Sequence, residues 1–262
     1  MKRQIIKLLA VVVFVFIHIP CQTTSKNFET RESRDYCSVI KEPLFDRKSS
    51  PVKYDYSEVD KYALNTPKKY EQSIDLLRDY LINGTNNDFE KVRSVFTWIA
   101  NNINYDIDSY FSENNDINLN DDILITKKAV CGGFAQLFED ILSSEVKTIT
   151  ISGYAKDSKY SQVDRFNGKP NHVWNAVKID SKWYLLDVTW AAGHINKNKK
   201  YVKEFDDTYF LTPPEHFIFD HLPIDNRWQL ISTPISLNEF EELIHLKASF
   251  FAMGFSSDEV FK

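Results

Sequence analysis

The stretch Val130-Cys131-Gly132-Gly133-Phe134-Ala135-Gln136-Leu137-Phe138-Glu139-Asp140-Ile141-Leu142 decides how the chain is read. Phe134, Leu137, Phe138, Ile141 and Leu142 recur at i, i+3, i+4, i+7 and i+8, the spacing of one buried helical face. Cys131 precedes Phe134 by three residues and shares that face, so its thiol points inward at the first turn. A helix N-terminus carries partial positive charge and free N–H groups, which favour a thiolate. Gly132 and Gly133 are poor helix formers, each costing roughly 1 kcal/mol against Ala in mid-helix. At a first turn they remove side chains beside the sulfur and let a substrate approach the backbone. A small apolar Cys opening a core helix fits the same letters equally well, and the rest of the chain has to decide.

The 262 residues are enough for one sizeable core or two small domains. The net charge of −5 argues against a nucleic-acid binder that relies on a basic surface. Cys21, Cys37 and Cys131 are too few for a disulfide framework, and none forms a CxxC pair. No cluster has metal-ligand spacing. His216 and His221 are five apart and read as loop or core histidines, so neither a metal nor a cofactor is expected.

Residues 1–20 read as a signal peptide, with Lys2, Arg3 and Lys7 ahead of an apolar run from Leu8 to Ile19. Cys21 follows directly, as in lipid-anchored bacterial proteins, although His18, Ile19 and Pro20 are an imperfect lead-in. A lipid anchor on Cys21, plain secretion and a retained N-terminal anchor all stay open, and each places the body outside the cytoplasm. With Cys21 lipidated, a Cys37–Cys131 disulfide would silence chemistry at Cys131. Residues 21–58 are polar and read as a flexible tether.

Ile74, Leu77 and Leu81 predict a helix over Ser73 to Leu81, stopped at Asn83-Gly84. Asp88 is the expected N-cap of a second helix, with Val92, Val95, Phe96 and Ile99 inward and Trp98 flanking. The stretch Ile103 to Asp106 is extended, and the acidic, Asn-rich stretch Ser112 to Asp122 reads as a surface loop. After the Cys131 helix the period changes to two. Strands are expected over Thr148 to Tyr154, His172 to Ile179, Trp183 to Trp190 and Tyr209 to Leu211, with a short one at Trp228 to Ile231. Leu237 to Leu246 reads as a late helix.

A turn centred on Asp180-Ser181 makes paired residues sum to 361. His172, Trp174, Ala176, Leu185 and Asp187 then share one face, with Val173, Val177, Tyr184 and Leu186 among those on the other. His172 and Asp187 become diagonal neighbours, roughly 7–8 Å apart at the backbone. A charge on an apolar strand needs a partner, and His172 is the available one. A helix packed on that face would bring Cys131 to both. The thiolate is then the nucleophile, the imidazole the proton carrier and the carboxylate the group that fixes the ring. A core Cys beside an ordinary His–Asp hydrogen bond is the bland alternative.

Cys131-Gly132-Gly133-Phe134-Ala135, Asn171-His172-Val173-Trp174-Asn175 and Leu186-Asp187-Val188-Thr189-Trp190 together resemble the core of the transglutaminase-like superfamily. Pro213-Pro214-Glu215, His221-Leu222-Pro223 and Trp228-Gln229-Leu230 are similar to its kyphoscoliosis-peptidase branch. The resemblance implies a papain-like α+β fold, with the Cys helix packed on an antiparallel sheet. It implies a transglutaminase-like domain over residues 59–235 and leaves 236–262 as a C-terminal helical extension. Carried over, Cys131 is the nucleophile, His172 the base and Asp187 the orienting acid. The Cys131 backbone N–H is the first oxyanion donor, and Tyr105 is the candidate for the second. The implied activity is that of a cysteine peptidase or acyltransferase on protein or peptide amides, hydrolysis being favoured over crosslinking. A catalytically silent binding or scaffold module of the same fold is the competing reading. Oligomeric state is not legible.

Overall fold

Ser73 caps one early helix by accepting the Leu76 N–H at 3.3 Å, and Asn87 caps the next by accepting the Glu90 N–H at 3.0 Å. Such caps satisfy N–H groups that a first turn leaves without partners. In this computed structural model the described residues are 54–257, without 113–119, 158–159, 162 and 164. The signal segment, Cys21, Cys37 and most of the acidic loop lie outside them.

The elements run α1 Ser57–Leu64, α2 Ile74–Asn83, α3 Asp88–Asn102, β1 Asn104–Tyr105, α4 Ile107–Phe111, α5 Asn120–Thr126, β2 Lys128–Ala129 and α6 Cys131–Leu142. They continue with β3 Lys147–Ala155, β4 His172–Ile179, β5 Lys182–Leu186, α7 Val188–Ala192, β6 Gly193–Ile195 and β7 Tyr201–Lys203. The chain closes with α8 Pro214–Phe217, β8 His221–Pro223, α9 Leu237–Glu242 and α10 Ala248–Ala252. Four strands form an antiparallel sheet in the order β5-β4-β3-β8. The fold is therefore mixed helix and antiparallel sheet, as the sequence implies.

The helical stripes are the core. Phe134, Leu137, Phe138, Ile141 and Leu142 of α6 and Val92, Val95, Phe96 and Ile99 of α3 are fully buried. Each such side chain contributes about 1.5–3 kcal/mol relative to exposure. Trp98, expected at the flank, is equally buried.

The β4–β5 register is Asn175↔Leu186, Ala176↔Leu185, Val177↔Tyr184, Lys178↔Trp183 and Ile179↔Lys182, each pair summing to 361 as expected. Asp180 and Ser181 both take positive φ, 48° and 66°, which the tight two-residue turn requires. The faces also divide as the alternation says, but α6 covers the other one. Asn175 Nδ2 donates to Ala135 O of α6 at 3.1 Å, and Thr150 of β3 donates to Glu139 of α6. Asn175 is three residues from His172, hence on the opposite face. The His172 face carries Trp174, which packs on Phe217 of α8 and His221 of β8.

Other expectations fail at their ends. β5 stops at Leu186, and the expected strand continues as α7 because Asp187 caps a helix. Tyr209 closes a 3-10 turn over Asp207–Tyr209, and Trp228 lies in another over Asn226–Gln229. In both, an Asp (Asp206, Asp225) accepts a backbone N–H two residues on and imposes a turn on an apolar run. The late helix ends at Glu242, since Leu243 is extended, and Asn120 to Asp122 belong to α5 rather than to a loop.

Candidate active site

Cys131 is the first residue of α6, so its N–H has no carbonyl partner within the helix. Val130, before it, offers no side-chain cap, and the first turn is left open to an anion. The two glycines have separate reasons. A Cβ on Gly132 would meet nothing within 4 Å, whereas one on Gly133 would lie 2.9 Å from the Ala129 Cβ and 3.0 Å from the Ile123 Cδ1. A side chain at Gly132 would enter open space, whereas Gly133 is required by packing against α5 and β2. Cys131 itself is half-buried and a free thiol.

His172 begins β4 and is buried. Its Nε2 lies 2.6 Å from Asp187 Oδ2. This leaves Nδ1 for the thiol, and a hydrogen bond with the Cys131 side chain contributes to the electrostatics of the ring. Asp187 is completely buried between β5 and α7. Its Oδ1 accepts the Thr189 N–H at 2.8 Å and the Trp190 N–H at 3.0 Å, so the helix cap itself fixes the carboxylate. Cys131 and His172 thus meet at the end of the sheet rather than across a face.

Burial alone would lower the pKa of His172. The Asp187 charge, their hydrogen bond and the Cys131 contact outweigh it and push the imidazole up to about 10. Burial would raise Asp187, but His172 and His221 hold it well below the ordinary carboxylate range.

These positions fall inside a recognisable sequence unit. A model of the transglutaminase-like superfamily matches residues 76–188, a span that holds Cys131, His172 and Asp187. The chain carries a transglutaminase-like domain. It is similar to kyphoscoliosis peptidase of Homo sapiens, 34% identical over 204 residues, or 77% of this chain and 31% of that protein. The peptidase of the same name in Mus musculus is 35% identical over 179 residues, 68% of this chain and 27% of that one. Hillarin of Drosophila melanogaster is 28% identical over 214 residues, 76% of this chain and 26% of that one. The two peptidase matches support a place in the kyphoscoliosis-peptidase branch. The chain spans less than a third of the length of these relatives. A solved transglutaminase structure, described as a TGase, is 19% identical with a TM-score of 0.35, covering 51% of this chain and 36% of that one.

Within the transglutaminase-like domain, Tyr105 of β1 is close enough for the Cys131 charge to act on it. Burial first, and that charge second, keep its hydroxyl protonated far above the ordinary tyrosine range. Tyr105, His172, Trp190 and Asp206 are among the walls of a cavity of about 400 Å³. Cys131 is not among those walls, so the cavity extends from the His172 side.

His221 is the residue that sequence reasoning missed. It is buried in β8, beyond residue 188, and its Nε2 lies 3.1 Å from the same Asp187 Oδ2. Its position in a three-residue strand gives no periodic signal. The signals available were its place in the His221-Leu222-Pro223 stretch and the adjacent Asp220, an acid in an apolar run. His172, Asp187 and His221 bring ligand-type atoms within 4.8 Å of one another. That spacing alone would suit a metal ion. However, Asp187 Oδ2 takes both Nε2 atoms at hydrogen-bond distance and Oδ1 takes two backbone N–H groups, so protons already satisfy this donor set.

Proposed function

We propose that this chain is a cysteine enzyme acting on amide or acyl groups of proteins or peptides through Cys131, His172 and Asp187. The observation that carries the reading is the buried 2.6 Å contact of His172 Nε2 with Asp187 Oδ2, which leaves Nδ1 for Cys131. His172 takes the thiol proton, and the thiolate attacks the carbonyl carbon. The carbonyl oxygen becomes an oxyanion, met by the Cys131 N–H and by the Tyr105 hydroxyl. Collapse breaks the C–N bond while His172 delivers its proton to the leaving amine. The acyl group stays on sulfur as a thioester. Water, deprotonated by His172, then attacks, releases the acid and restores the thiol. Asp187 holds the ring throughout and stabilises its charged form.

The name of the kyphoscoliosis peptidases favours water over a lysine amine as acceptor. Residues 1–20 and Cys21 make export with lipid anchoring our reading of location, which palmitate labelling of wild type against Cys21→Ser tests.

The test of the activity is incubation with a proteome-derived peptide library, with intact-mass detection of an acyl adduct and sequencing of new termini. Wild type is expected to form the adduct and Cys131→Ser to form none. New termini identify hydrolysis, whereas lysine-linked products identify transfer. A wild type that forms neither adduct nor product, or a Cys131→Ser variant with undiminished turnover, sinks the reading.

A further inference from the structure

The buried network behind Asp187 goes beyond the three residues just used. His221 Nε2 lies 3.1 Å from Asp187 Oδ2, and His221 Nδ1 lies 2.6 Å from Asp220 Oδ1. The other Asp220 oxygen, Oδ2, accepts the Tyr209 hydroxyl at 3.0 Å. An ionised carboxylate can only accept hydrogen bonds. Each ring nitrogen of His221 faces such an oxygen, so keeping both bonds takes a hydrogen on each nitrogen. That species is the imidazolium. The side chains of His221, Asp187 and Asp220 are all fully buried, so solvent does not relieve the pair of carboxylates.

We propose that His221 is a positioning residue: held as an imidazolium between Asp187 and Asp220, it fixes the Asp187 carboxylate against His172 and takes up part of its charge. This rests on the reading of His172 as the proton carrier.

The reason such a device is useful lies in the proton balance. A proton carrier works best when its pKa is near the working pH. A completely buried Asp187 facing His172 alone would hold the imidazolium too firmly to give its proton to a leaving amine. A second positive ring on the same oxygen weakens that hold. It also repels the charge on His172, whose ring centre is 5.5 Å away.

The groups that face His221 are few. His172 comes from β4, Asp187 from the end of β5, Tyr209 from the 3-10 turn and Asp220 from its own chain neighbour. Phe217 of α8 stacks on the ring at 4.1 Å, and Trp190 of α7 covers it at 4.4 Å. Trp174 of β4 packs edge-on at 5.1 Å. Lys156 and His245 act one step back, on Asp220. Burial would lower His221, but the Asp220 charge and the bonds to both carboxylates win and raise it above its ordinary value.

The test is a pH titration of the full chain carrying 15N-labelled histidine, followed through the ring nitrogens. In wild type, His221 is expected to stay doubly protonated through neutral pH. In His221→Gln the midpoint of His172 is expected to rise by about one pH unit, because a like charge has gone. Asp220→Asn keeps the His221 ring but removes the charge that holds its proton. It is expected to move His172 in the same direction by less. Loss of packing alone would not move this midpoint in both variants. A His221 that titrates near its ordinary value in wild type overturns the proposal. So does an unchanged His172 midpoint in the folded variants. Where His221→Gln fails to fold, Asp220→Asn decides by the same criterion. Iodoacetamide rates at Cys131 on the same samples separate the two readings. A sluggish wild-type thiol with the His172 shift intact rejects the nucleophile and keeps the His221 role.

Discussion

Asp187 Oδ2 meets His172 Nε2 at 2.6 Å although the two residues lie fifteen positions apart and in different elements. Asp187 is no longer a strand residue. It is the N-cap of α7, and its second oxygen is tied to the Thr189 and Trp190 N–H groups. Structure and charge therefore meet in one carboxylate.

Asp187→Asn keeps the shape of that group but not its charge. Turnover is expected to fall by roughly three to four orders of magnitude, as when a triad imidazole loses its orienting acid. His172 would also lose its counter-charge, and His221 one of its two, at a cost of about 3–5 kcal/mol. Steady-state kinetics and urea denaturation measure the two effects separately. Near-normal turnover in the folded variant would remove Asp187 from the mechanism.

The pH dependence of stability follows from the same pair. His172 is raised from 6.5 to about 10, so its contribution is complete below 6.5 and fades as pH rises towards 10. Asp187 is lowered from 3.8, so its contribution is complete above 3.8 and is lost as pH falls through its folded value. Melting temperature is expected to hold between these limits and to drop on the alkaline side. His172→Gln is expected to flatten the alkaline drop, and an identical slope in the variant would count against the assignment.

Gly132 and Gly133 should respond differently to the same change. Gly132→Ala adds a methyl to open space and gains helix propensity of up to about 1 kcal/mol, so the melting temperature should hold or rise. Gly133→Ala forces a methyl against Ala129 and Ile123, and overpacking of this kind costs about 1–3 kcal/mol. Calorimetry on the pair checks this. Equal destabilisation would mean that the space at Gly132 is not open.

Arg93 is buried in α3 and joins α1 to the segment after β7. Its Nε and Nη2 donate to the two Asp60 oxygens at 2.7 Å each, and its Nη1 donates to Asp207. Arg93→Ala is expected to cost about 1–3 kcal/mol, because the hydrogen bonds of a buried guanidinium are lost while Asp60 and the more exposed Asp207 can turn to water. Arg93→Lys should recover little of this, since one ammonium cannot reproduce the fork. Denaturant midpoints of both variants measure the difference.

What could be read from sequence was what a period or a turn encodes. The α6 and α3 stripes follow from the helical period, and the β4–β5 register from alternation and from Asp180-Ser181. Which sheet face α6 would cover did not follow, because β4 is buried on both faces and its pattern has no polar side. The end of β5 was missed for a related reason. Val188, Trp190 and Ala191 look like strand, but Asp187 finds helix N–H groups two and three residues on. His221 was missed because Asp187, which it shares with His172, lies 34 residues away at the start of α7, and no local spacing brings the two together.

The central claim is that His172 and Asp187 activate Cys131. The most direct measurement is the rate at which iodoacetamide alkylates Cys131 at pH 6, mapped by peptide mass, in wild type and in His172→Ala. A free thiol near its ordinary pKa of about 8.5 is almost wholly protonated there and reacts slowly. Wild type should react at least about tenfold faster than that reference, with the advantage lost in His172→Ala. A wild-type rate equal to that of a free thiol, or one that survives loss of His172, would contradict the claim.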